Sequence, residues 1–121
     1  MNQTKNMRDI KFRAWNNSLQ SWERKPEENA LECLVESDLI LEQYTGLKDR
    51  NGKDIYEGDL ISGFGRIMMV AWHGYTGSFD LEFVRHETEP SYTLVDPIPF
   101  HYIRLLEATG NIHENPELLQ Q

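Results

Sequence analysis

A single small, mainly β domain is what this sequence predicts: about seven short, mostly antiparallel strands in a bent sheet or small barrel, with at most one or two short helices. Three observations carry the prediction. Apolar and polar residues alternate with period two in several short runs. Turn-forming clusters recur roughly every 8–12 residues. Helix-period stretches are scarce. The chain has 121 residues, 39% hydrophobic and 26% charged, a size that fits one domain. Residues 1–121 are read as that domain, with 1–7 as a frayed tail and 112–121 as a short C-terminal tail.

The first strand is Ile10 to Trp15, where Ile10, Phe12 and Ala14 alternate with Lys11, Arg13 and Trp15. Asn16-Asn17-Ser18 turns it, and Leu19 to Glu23 returns as a second strand. Pro26-Glu27-Glu28 suits a helix start, because acidic residues favour the positive end of the helix dipole. The helical spacing of Leu31, Leu34 and Val35 predicts a short helix over 29–37, with a strand as the competing assignment. Leu39 to Tyr44 reads as a strand. Asn51-Gly52 is a tight-turn signal, since both residues tolerate positive φ. Glu57-Gly58-Asp59 turns the chain into a strand at Leu60-Ile61, and Gly63-Phe64-Gly65 turns it again. Arg66 to Trp72, Phe79 to Phe83 and Tyr92 to Val95 are further strands. Asp96-Pro97-Ile98-Pro99 is a rigid elbow leading to a last strand over Phe100 to Glu107. Leu118 and Leu119 are candidates for pinning the tail to the core.

Charge narrows the partners. Twelve Lys and Arg against twenty Asp and Glu give −8. Such a surface repels nucleic acid and anionic membrane within about a Debye length. Nucleic acid is therefore an unfavoured partner, and a membrane is none: no apolar run is long enough for a spanning helix. The one basic cluster is Lys5, Arg8, Lys11 and Arg13. With Trp15 beside it, the surface Lys11, Arg13 and Trp15 is the candidate for nucleic-acid contact, since single strands bind where rings sit among cations. The lone Cys33 cannot close an internal disulfide, which fits a reducing, cytoplasmic compartment.

Catalytic signatures are absent. Histidines at 73, 86, 101 and 113 lack zinc spacing, and His113-Glu114 does not continue into His-Glu-x-x-His. Asp49 to Asp54 resembles part of a calcium loop, but both ends of the ligand pattern fail. Asp54, Glu57 and Asp59 crowd one loop, so a metal-dependent enzyme using them is a second alternative. The expectation is no cofactor, no resident metal and no catalytic residue.

The stretch Tyr44-Thr-Gly-Leu-Lys-Asp-x-Asn-Gly-Lys-x-Ile-Tyr-Glu-Gly-Asp-Leu60 resembles the signature of the YopX family, small proteins of phages and prophages. Ile10-Lys-Phe-Arg-Ala-Trp15, Gly65-Arg-Ile, Val70-x-Trp72, Gly77-x-Phe79 and Gly110-Asn-Ile-x-Glu-Asn-Pro-Glu-Leu118 extend the likeness to nearly the whole chain, leaving out 29–39 and 85–92. The resemblance implies a mainly β fold and a phage-encoded protein in a bacterial host cytoplasm. It implies no known activity and no catalytic residues. The function expected is a non-enzymatic accessory module that contacts a host or phage protein, with a homo-oligomer also compatible. Lys48, Asp49, Asp54, Glu57 and Asp59 are the candidate partner surface.

Overall fold

The computed structural model describes residues 10–24, 38–87 and 97–120. The helix expected over 29–37, the strand at 92–95, Cys33 and the tail 1–7 lie outside them. The fold is mainly β: two four-stranded antiparallel sheets, one curled into a half-barrel. The first sheet contains β1 (Phe12–Asn16), β2 (Ser21–Trp22), β3 (Leu39–Lys48) and β4 (Asp54–Tyr56), in the order β2-β1-β3-β4. The second contains β5 (Asp59–Gly63), β6 (Arg66–His73), β7 (Ser78–His86) and β8 (Glu107–Asn111), in the order β7-β6-β5-β8. Two 3-10 helices, Phe100–Leu105 and Pro116–Leu119, complete the described chain.

Local chemistry explains the turns. Phe64 and Gly65 form a two-residue hairpin between β5 and β6, and both have positive φ, 53° and 72°. That is the combination a right-twisted hairpin requires. The β4–β5 turn hinges on Gly58 at φ 84°. It is also where the chain crosses from one sheet to the other. Glu57 N–H donates to the Gln43 carbonyl of the first sheet at 3.0 Å, while Gly58 N–H donates to Val70 of the second at 2.9 Å. Ile112 N–H returns to the Gly58 carbonyl at 2.9 Å.

The core is Ile55, Ile61, Met68, Val70, Ile103 and Leu106, with Leu47, Phe79, Leu81 and Phe100 packed against it. Each fully buried aliphatic chain contributes about 1.5–3 kcal/mol by leaving water. Neighbours on a strand point to opposite faces. Leu60 and Ile61 are both fully buried, so both faces of β5 are covered, and Ala14 and Trp15 show the same for β1.

One expectation needs correction. Phe100 to Leu105 is a 3-10 helix, and the last strand begins at Glu107. Phe100, Ile103 and Leu106 recur every three residues, so a three-residue turn sends all three toward the core. A strand would put Ile103 on the face opposite Leu106. The tail expected over 112–121 is held by more than the two leucines named for it, of which Leu118 is half-buried. Its anchors are His113, Glu114 and Asn115, while Leu119 is 37% exposed.

Candidate functional site

The 48–59 segment turns Asp49 and Asp59 inward and leaves Lys48, Arg50, Asn51 and Lys53 exposed. Asp49 Oδ1 accepts the backbone N–H groups of Asn51 and Lys53, both at 2.9 Å, and Oδ2 accepts Ala108 N–H at 2.9 Å. Burial pushes this carboxyl upward, but the three backbone donors outweigh it and hold the group below its ordinary value. Asp49 thus ties the loop to β8. Asp54 receives the Lys11 ammonium at 2.6 Å and that of Lys48 on its other oxygen. Those two hydrogen bonds hold the Asp54 carboxyl low. Glu57 Oε1 accepts Gln43 N–H at 2.8 Å. Of the five residues expected to face a partner, only Lys48 has a mostly exposed side chain, at 58%.

Asp59 belongs to a buried charged cluster. Arg13 Nη2 lies 2.8 Å from Asp59 Oδ1 and donates to the Glu57 carbonyl at 2.9 Å, and its Nε donates to Glu42 Oε1 at 2.9 Å. The guanidinium stands 4.4 Å from the Trp22 ring centre and 4.9 Å from that of Tyr56. Glu42 Oε2 meets His113 Nε2 at 2.9 Å. Side-chain exposure is 1% for Asp59, 6% for Glu42 and 7% for His113. Burial raises the Glu42 and Asp59 carboxyls, opposed by Arg13 in both cases. Gly58 is required beside this cluster, because a Cβ there would collide with the Glu42 carboxylate.

The segment after β8 closes the cluster. The His113 ring stacks on Trp15, centroids 5.1 Å apart and 13° from parallel. Trp22 Nε1 donates to Glu114 Oε1 at 2.9 Å, and Asn111 Nδ2 donates to the same oxygen at 2.8 Å. These two bonds hold the Glu114 carboxyl low. Asn111 Oδ1 in turn accepts the N–H groups of His113 and Glu114.

These contacts bury or engage the residues named for nucleic-acid contact. Trp15 is 3% exposed, and its ring faces His113 and Trp22 rather than a base. Lys11 and Arg13 spend their charge on Asp54, Glu42 and Asp59. Lys5 and Arg8 lie outside the described residues. The proposed metal loop separates in the same way: Asp54, Glu57 and Asp59 each serve a different partner. The described residues hold no group of three or more His, Cys, Asp or Glu that could hold a metal ion.

Large apolar side chains lie on the outside instead. Phe64 is 62% exposed at the tip of its hairpin, Leu105 67%, Trp72 49% and Phe83 41%. Phe64, Arg66, Pro97, Ile98, Pro99 and Tyr102 line an open groove of about 330 Å³. Sequence reading missed His113, Glu42 and Trp22 as one cluster, because 71 positions separate His113 from Glu42. One signal was present. Trp15 shares a strand face with Arg13, whose charge meets the carboxylates of Glu42 and Asp59.

A search of curated proteins finds no match. A solved structure similar to this chain is the crystal structure of protein EF1440 from Enterococcus faecalis. It is 23% identical, with a TM-score of 0.60 over 94% of this chain and 100% of that one, a likeness of fold. The family model described as "YopX protein" matches residues 2–120, spanning both sheets, the signature loop and the closing segment. The chain belongs to the YopX family.

Proposed function

We propose that this chain is a phage- or prophage-encoded accessory protein of the bacterial cytoplasm. It acts as a non-enzymatic binding module for a host or phage protein. The observation that carries this reading is Phe64. A bulky residue at positive φ costs about 1–2 kcal/mol over an ordinary conformation, and here the backbone displays the ring to solvent at 62% exposure. Strained positions that present a side chain cluster at functional sites. The Pro97–Pro99 elbow and Tyr102 set a rigid apolar wall beside it. The polar residues of the signature support the reading from the other side, since folding uses most of them.

An affinity pull-down from phage-host lysate tests the proposal, at low and high salt and with a nuclease arm. A stoichiometric protein that survives nuclease, and is lost with Phe64→Asn in a folded variant, is the expected result. Recovery of nucleic acid, or a partner released by nuclease, overturns it. Light scattering on the purified chain separates self-association from capture of another protein.

A further inference from the structure

The longest open edge among the described residues is β7. It pairs with β6 from His73 opposite Ser78 to Arg66 opposite His86, and no described strand lies on its other side. Its two faces differ. Leu81 lies opposite buried Val70 and Phe83 opposite buried Met68, so Phe79, Leu81 and Phe83 share one face, on which Phe79 and Leu81 pack against the core and Phe83 is 41% exposed. Asp80 and Glu82 form the outer row, with side chains 49% and 42% exposed, and His73 Nε2 stands 3.8 Å from the first and 2.9 Å from the second. An edge strand presents unpaired backbone donors and acceptors to any strand that can approach.

The charges decide which strand that is. Two-fold self-pairing centred on Leu81 sets Asp80 against Glu82, and centring on Glu82 sets that residue against itself. Like charges directly opposite destabilise a strand pair. Centring on Phe83 runs through Val84, the extra residue where the β6 register shifts between Ile67 and Met68. A second copy of this chain is therefore a poor occupant.

We propose that β7 receives one extended segment of a partner protein in which basic residues alternate with apolar ones. The basic residues sit opposite Asp80 and Glu82, and the apolar ones extend the row of Phe79, Leu81 and Phe83. Backbone bonds supply affinity and the alternation supplies selectivity. This deepens the binding-module reading and rests on it.

The test uses the full chain and three capped peptides spanning the nine residues of β7: one alternating lysine with valine, one alternating glutamate with valine, and one with the lysines and valines in separate blocks. Backbone amide shifts are followed by NMR. The expected result is movement of amides across Asp80–Phe83 with the alternating lysine peptide alone. Reversing both charges, D80K with E82K, then weakens that peptide roughly five- to tenfold and admits the glutamate peptide. Equal binding of the block peptide, shifts on another edge, or no shifts overturns the proposal. The peptide comparison needs no substitution, so it decides the edge even if the variant misfolds. The lysate pull-down decides the binding-module reading separately. A captured partner that binds the folded charge-reversed variant unchanged overturns the edge alone.

Discussion

The Arg13 guanidinium and the Asp59 carboxylate meet at 2.8 Å across the junction of the two sheets, one carried by β1 and the other by the first residue of β5. Arg13 also holds Glu42, so a single cation serves two buried carboxylates. Among the described residues, removing it leaves Glu42 with only His113 and Asp59 with only the Tyr56 N–H. Arg13→Met is expected to cost about 3–5 kcal/mol, the usual penalty for breaking a buried pair from one side. The double change R13M/D59N should cost less than the single one. Urea denaturation of the three proteins checks the order.

Gly58 and Gly46 separate two roles of glycine. Both have positive φ, 84° and 88°, but only Gly58 has the Glu42 carboxylate where a Cβ would go. Gly46→Ala should cost about 1–2 kcal/mol for the backbone conformation alone. Gly58→Ala should cost a further ~1–3 kcal/mol, because Arg13 and His113 keep Glu42 from moving aside. Equal costs would show that Glu42 yields freely.

Acid titration should show two opposite slopes. The Asp49 carboxyl is held below its ordinary value, so the native state binds its proton less tightly than the unfolded chain does. The stability this adds is present above about pH 4 and is lost as pH falls through the native value. The stability gap between wild type and Asp49→Asn should therefore narrow on acidification. Glu42 runs the other way: burial raises it, and the stability tied to its proton is lost as pH rises through the native value. Glu42→Gln should gain on wild type over that rise. Denaturant midpoints at stepped pH read both slopes.

His113→Phe keeps a ring against Trp15 and removes the bond to Glu42, whereas His113→Ala removes both. The first should cost about 1–3 kcal/mol and preserve the near-ultraviolet circular dichroism of the tryptophans. The second should cost more and flatten that signal.

Phe64→Asn should stabilise the fold by about 1 kcal/mol, because asparagine before glycine suits this hairpin turn and phenylalanine does not. A loss of stability would show that the ring packs more than its 62% exposure implies.

Much of the fold was legible, and the residues show why. Alternation marked β1 and β7, since a half-buried strand writes its period directly into the chain, and β6 showed as a short apolar run between turns. Turn chemistry at Asn51-Gly52, Glu57-Gly58 and Gly63 to Gly65 marked the corners. Phe100 to Leu105 misled because apolar residues every three positions read as a strand to a period-two eye. The site was less legible. Asp49, Asp54 and Asp59 look like solvated charges in a loop, and only distant partners reveal otherwise: Ala108, Lys11 and Arg13 lie 59, 43 and 46 positions away in sequence. The exposed tip at Phe64 was visible only as a turn, since sequence does not say which way a ring points.

The pairing of β5 with β8 brings Asp59 beside Asn111, and His113 and Glu114 then reach back to β1–β3. On a ribosome, residues 59–63 emerge long before 107–114. Until that later segment clears the exit tunnel, β5 has one bare side and the Arg13 cluster lacks its lid. The second sheet and the lid of the Arg13 cluster are therefore completed by the same late stretch of translation. A message broken before codon 107 would release a chain with the second sheet unfinished and the Arg13 cluster uncovered, a substrate for proteolysis rather than a shorter working form.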